Sequence, residues 1–173
     1  MESIITVICS CAGIIIALFG AVFGLIQWRE SCAIKRCEYN DKLLSELRNN
    51  KEFADMRYEF EYDSNWYTED FHDSENGLEE KFDNYFLFLN YICFLYNTKR
   101  IKKNEFRIFE YLVIQVCNNP DAQKYFKFIF HYSKENNAAC SFEEIIKFAI
   151  KKKIIKKTFL IDAENAYQKI LKK

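Results

Sequence analysis

The chain has almost no residues that break or sharply bend a backbone: one proline and four glycines in 173 residues. Sandwiches and barrels with many tight turns depend on such residues, so the scarcity disfavours them and favours long helices. Three of the glycines, Gly13, Gly20 and Gly24, fall in one apolar run, leaving Gly77 alone for everything that follows. A loop that cradles phosphate needs several glycines so that backbone N–H groups can approach the ligand. No G-x-x-x-x-G-K-[ST], G-x-G-x-x-G or G-x-S-x-G pattern occurs. A phosphate-cradling glycine loop is therefore excluded, which argues against a nucleotide-hydrolysing enzyme.

Net charge is missing as well: 25 Lys and Arg balance 25 Asp and Glu. Bulk attraction to DNA or RNA is not indicated. H-E-x-x-H, EF-hand loops and C-x-x-C spacing are absent. His72 lies among Glu69, Asp70 and Asp73. That grouping reads as a solvated acidic loop, since a metal site needs more ligands at fixed spacing. No metal, cofactor or catalytic residue is expected, and His131 reads as a half-buried helix residue. The seven cysteines are odd in number and lack a disulfide-framework spacing. They read as reduced, mostly on apolar faces.

What the chain does have is apolar and aromatic bulk. Half of it is hydrophobic and 17% is aromatic, which excludes wholesale disorder. The balanced charge also conceals an asymmetry. Residues 1–95 hold 8 basic and 17 acidic side chains, and residues 96–173 hold 17 basic and 8 acidic. Such a division fits an acidic half docking on a basic half, a surface facing anionic lipid or nucleotide, or two unrelated solvated surfaces.

The strongest signal is at the start. Ile4 to Ile26 contains no charged residue over 23 positions. At 1.5 Å per residue such a helix covers the roughly 30 Å of bilayer hydrocarbon. The expected order is a flank (1–3), a transmembrane helix (4–28), a helical stalk (29–48) and an α-helical domain (49–173). Trp28 suits the headgroup zone and Arg29 the aqueous side of it. A cleaved signal peptide is disfavoured: the Met-Glu-Ser start carries no Lys or Arg, the run is too long, and bulky residues lead into Trp28. Arg29, Lys35 and Arg36 follow the run, while Glu2 alone precedes it. The positive-inside tendency then puts the N-terminus outside and the domain in the cytoplasm. Gly13, Ala17, Gly20 and Gly24 form a small-residue ridge suited to helix–helix contact in lipid, and so to self-association.

The remainder reads as an all-α bundle. Asn50 caps a short helix facing inward through Phe53, Met56 and Phe60. Residues 61–77 are an acidic loop pinned by aromatics. Leu78 to Tyr96 carries a stripe of Leu78, Phe82, Tyr85, Phe86, Leu89, Ile92, Cys93 and Tyr96, wide enough for a central helix. Asn104 caps the next helix, whose inward residues are Ile108, Phe109, Leu112, Val113, Val116 and Cys117. Asn119-Pro120 stops that helix and starts another, carried by Tyr125, Phe128, Ile129 and Tyr132. Ser141-Phe142-Glu143-Glu144 matches a capping box. A short strand has room only between Ile150 and Phe159. Asp162 opens a last short helix.

The tract Lys147 to Lys157 is read as a helix with a cationic face. With Lys99, Arg100, Lys102 and Lys103, its residues Lys151, Lys152, Lys153, Lys156 and Lys157 are candidates for contact with an anion, such as a nucleotide, or with lipid. An ordinary solvated face is the competing reading.

Two stretches carry a family resemblance. Asn49-Asn50-x-x-Phe53-x-x-Met56-Arg57, and later Phe82-x-x-Tyr85-Phe86-x-Phe88-Leu89-Asn90-Tyr91-Ile92, follow an anchor and a stalk. In this the chain resembles the DUF4760-type small bacterial membrane-anchored proteins of unknown function. The resemblance implies an anchor followed by a helical domain and supplies no catalytic residue. The expected function is that of a non-enzymatic single-pass protein whose domain binds a protein partner or self-assembles. The alternative is a ligand-gated effector of an anti-phage defence or toxin system that permeabilises the membrane on oligomerisation.

Overall fold

The computed structural model describes residues 2–62, 65–73, 75 and 77–159. The helix expected from Asp162 lies outside the described residues. Six α-helices follow in order: α1 (Glu2–Asn49), α2 (Lys51–Glu61), α3 (Leu78–Asn97), α4 (Lys103–Asn118), α5 (Pro120–Glu135) and α6 (Glu143–Lys151). A 3-10 turn, Glu69–His72, interrupts the connection between α2 and α3. Among the described residues there is no strand, and the interval after Lys151 is a series of turns. The chain divides into two compact units, Met1–Ser45 and Glu46–Lys173.

The first unit is α1 up to Ser45. Nothing in residues 2–49 interrupts its backbone ladder, so the apolar run and the stalk form one helix. From Ala12 this helix is long and apolar enough to cross a membrane. Every residue from Ala12 to Glu30 is exposed.

The second unit is a helical bundle built around α3, which packs against α2, α4, α6 and the 3-10 turn. Phe82, Phe86, Leu89, Ile92 and Cys93 are fully buried, and Phe88 and Leu95 are buried on the flanks of that stripe. Burial over so wide an arc is what a central helix requires. Each such side chain contributes about 1.5–3 kcal/mol on leaving water. The acidic connection is held by its aromatics. Trp66 stacks on Phe82 with ring centres 4.0 Å apart, and Phe71 is completely buried. Gly77, at φ 58°, supplies the left-handed residue that leads into α3.

Helix starts match the sequence where the cap is local. Asn50 Oδ1 accepts from the N–H of Glu52 (3.0 Å) and Phe53 (3.4 Å). Asn119 Oδ1 accepts from Asp121 (2.9 Å) and Ala122 (3.0 Å), with Pro120 opening α5. Two other starts are corrected. α4 begins one residue before Asn104, and Glu105 reaches back to accept from the Lys102 N–H at 2.6 Å. At α6 the N-cap position is Phe142, which makes no side-chain cap bond, and the capping side chain is not Ser141. It is Asn90 of α3, whose Oδ1 accepts from Glu144 (3.0 Å) and Ile145 (3.1 Å).

Two inward faces also need correction. α4 buries Phe106, Phe109, Val113, Val116 and Cys117. Ile108 falls off that stripe and is 53% exposed. On α5 the buried pair is Tyr125 and Phe126, while Phe128 and Tyr132 are exposed. A two-sided bundle chooses one arc of each helix, and aromatic residues outside it stay in solvent.

Candidate functional site

Gly13, Ala17, Gly20 and Gly24 follow one another along α1 at spacings of three and four, which places them on one helical face. A Cβ placed at Gly13, Gly20 or Gly24 meets nothing within 4 Å, and Ala17 is exposed. Trp28 is 65% exposed and Arg29 follows it, also exposed.

Along the sequence the charge of the second unit is divided. Residues 46–95 hold 4 basic and 13 acidic side chains, whereas residues 96–173 hold 17 basic and 8 acidic. α3, with 20 residues, spans about 30 Å. An acidic group lies around its N-terminus and a basic turn follows its C-terminus. Both signs suit the helix macrodipole, which is positive at the N-terminus and negative at the C-terminus.

The basic end is built from two segments distant in sequence. Lys99, Arg100 and Lys102 occupy the turn after α3 and Lys103 opens α4, all exposed. Lys151 Nζ sits 5.6 Å from the centre of the Tyr96 ring. Tyr96 stacks on Phe106 at 4.2 Å, and Phe106 lies 5.1 Å from Phe148 of α6. Tyr96 precedes the basic turn and Phe106 follows it, so the end of α6 is held beside that turn. Lys152 is already engaged, paired with Glu110 of α4 and lying 5.6 Å over Phe148.

The single cationic helix face expected over Lys147–Lys157 is not formed. α6 stops at Lys151, and Lys153 takes φ 62°. The Lys153 N–H bonds to the Ile150 carbonyl (3.0 Å) and the Ile154 N–H to the Ala149 carbonyl (2.9 Å). This left-handed helix stop turns the chain away. Beyond it, Phe159 lies 4.9 Å beneath Lys127 of α5. Lys156 and Lys157 are exposed.

The acidic end holds a polar cluster. A cleft of about 430 Å³ is lined by His72, Asp73, Glu79, Glu80 and Asp83, among others. His72 Nδ1 pairs with Glu79 Oε1 at 3.1 Å. Its Nε2 lies 3.4 Å from the Tyr67 hydroxyl. Tyr125 of α5 points its hydroxyl at Asp83 Oδ1 (2.7 Å) and Glu79 Oε1 (3.0 Å). A phenol has one proton to donate, so the two carboxylates compete for it. Burial raises the Asp83 carboxyl above its ordinary range. The Tyr125 hydrogen bond opposes that rise, and Glu79 reinforces it. Burial, and then the carboxylates, push the Tyr125 phenol strongly upward. Burial and Glu79 raise Tyr67 as well.

The His72 grouping is thus more structured than a solvated loop. It clasps the acidic connection onto α3 and α5. Glu79 and Asp83, at i and i+4, were readable as one polar face of α3. Tyr125 came from a helix more than forty residues away and left no sequence signal. Among the described residues, no group of three or more His, Cys, Asp or Glu side chains converges to hold a metal ion.

No family model, no curated protein and no solved structure matches this chain.

Proposed function

We propose that this protein is a non-enzymatic, single-pass anchored protein of a bacterial inner membrane. Its N-terminus lies outside, and its helical domain, in the cytoplasm, binds a partner or assembles with copies of itself. One observation carries the reading: the charge-free stretch of α1 from Ala12 to Gln27 is an unbroken helix with no buried residue. Water solvates such a surface poorly, and lipid or another helix is its natural surrounding. The ridge at Gly13, Ala17, Gly20 and Gly24 supports self-association, because small residues let helix backbones approach closely in lipid.

Alkaline carbonate extraction of membranes tests the anchor. The full-length chain stays in the pellet, and recovery in the wash overturns the reading. Protease added outside intact cells leaves the domain whole, and its digestion reverses the proposed orientation. A Gly20→Leu/Gly24→Leu variant loses self-association in a membrane two-hybrid assay. Unchanged association removes the ridge from the reading.

A second reading is supported by the basic end, where the exposed Lys99, Arg100, Lys102 and Lys103 follow Tyr96, the ring that Lys151 covers. An anionic ligand there, a nucleotide or a lipid headgroup, would gate a membrane-permeabilising oligomer. Induced expression that never depolarises cells counts against it.

A further inference from the structure

Among the described residues, the domain shields one donor atom of Arg57 without giving it an acceptor. Arg57 of α2 is half-buried, and its Nε is shielded from solvent with no hydrogen-bond acceptor. Among the described residues no acceptor reaches that Nε, although Glu61 stands one helical turn along. Shielded guanidinium donors are normally satisfied, and an exception calls for a physical reason. The core offers one neighbour of note, the buried Tyr85 phenol, whose burial-raised pKa the Arg57 charge partly offsets.

Arg57 lines a groove of about 320 Å³ between α2 and α4. Tyr58 and Tyr111 form its lips, Ala54 and Leu112 supply apolar surface, and Glu61 and Gln115 complete it. Tyr58 is 59% exposed and Tyr111 62%. Tyr62 stacks on Tyr58 with rings 6.2 Å apart and nearly parallel, which extends the aromatic lip. Exposed tyrosines around an arginine are what protein-binding surfaces concentrate. A rigid phenol covers a large area while losing little side-chain freedom.

We propose that this groove binds an acidic side chain of a partner protein, with the carboxylate seated on Arg57. The guanidinium fork matches a planar carboxylate. Glu61 shares the groove, which disfavours a doubly charged phosphate and suits the backbone N–H beside a peptide's carboxylate side chain. Gln115 has both a donor and an acceptor for the same peptide backbone. The groove is open along one side, so it accommodates a side chain from a larger surface and does not enclose a free metabolite. This gives a chemistry to the partner in the reading above, yet the groove lies wholly within the second unit. Its test is independent of whether α1 sits in lipid.

The experiment uses the detergent-solubilised full chain and saturation-transfer NMR. The probes are glutamate capped as its N-acetyl, N-methyl amide and the matched capped glutamine. Transfer to the glutamate probe, at least several-fold above the glutamine probe, is expected. Arg57→Gln abolishes it, while an Arg100→Glu/Lys103→Glu variant at the basic end leaves it unchanged. Equal transfer to both probes, or persistence in Arg57→Gln, overturns the proposal. So does loss of transfer only in the basic-end variant, or stronger binding of phenyl phosphate than of the glutamate probe. A melting experiment guards against a purely structural role. Arg57→Met without probe melts at or above the unmodified chain, because a cation with an unsatisfied Nε is exchanged for an apolar side chain. A melting point several degrees lower makes Arg57 a strut of the fold, and the proposal fails.

Discussion

Asn90 caps a helix to which it does not belong. Its side chain, from the middle of α3, accepts the backbone N–H groups of Glu144 (3.0 Å) and Ile145 (3.1 Å) at the start of α6. Asn97, two turns further along α3, donates to the carbonyl (3.3 Å) and the carboxylate (2.8 Å) of Glu144. α6 is thus registered on the central helix by polar contacts as well as by Ile145, Ile146, Phe148 and Ala149.

The first prediction follows from that cap. Asn90→Ala removes an acceptor from two half-buried donors and destabilises the fold by about 1–2 kcal/mol. Ser141→Ala, which alters the residue that sequence alone nominates, changes stability by less than about 0.5 kcal/mol. Denaturant titration of the full chain in detergent measures both. The reverse ranking would show that α6 is capped locally.

A second prediction concerns the helix stop after α6. Lys153 holds φ 62° in a left-handed turn, where a side chain is strained and glycine is not. Lys153→Gly raises stability by about 0.5–1 kcal/mol, once the greater freedom of glycine in the unfolded chain is subtracted. A raised denaturation midpoint with unchanged slope checks it.

A third prediction uses pH. The folded state raises the Asp83 carboxyl above its ordinary value of 3.8, chiefly through burial. The folded chain therefore holds that proton more tightly than the unfolded chain. Stability from this group is fullest below the ordinary value and falls as pH rises through the raised one. Asp83→Asn keeps an acceptor for Tyr125 and removes the charge. The variant melts higher than the unmodified chain at neutral pH, and the two converge on acidification. A gap independent of pH would show that Asp83 does not titrate there.

A fourth prediction concerns thiols. Burial drives the Cys117 thiol up to about 12 and the Cys93 thiol higher still, while Cys37 is exposed. The thiolate is the reacting species. Maleimide at mildly alkaline pH therefore labels Cys37 at least tenfold faster than Cys93 or Cys117 until denaturant is added. Mass spectrometry of timed samples reads the order. Fast native labelling of Cys117 would mean that the bundle opens around it.

Much of the fold was legible before any coordinates. The local hydropathy of Ile4–Ile26 and the scarcity of breakers fix a long helix, because helical hydrogen bonds stay within one segment. Asn50 and Asn119 cap the helices that follow them, because a side chain two or three residues away can satisfy those donors whatever surrounds it. The aromatic stripe of α3 announced a central helix for the same reason of periodicity.

What the tertiary structure alone decided depends on groups far apart in the chain. Periodicity could not show that Ile108 and Tyr132 stay in solvent, since a wide apolar helix leaves open which arc its neighbours cover. It could not show that Asn90 displaces Ser141 as a cap, or that Tyr125 sets its one proton between Glu79 and Asp83. Nor could it reveal that Lys151 covers the Tyr96 ring at the end of α3. Local chemistry wrote the helices and the caps at Asn50 and Asn119 into the sequence. The pairing of charges, the choice of buried arc and the unsatisfied Nε of Arg57 arose only when the helices packed, because each depends on a partner that chain distance does not specify.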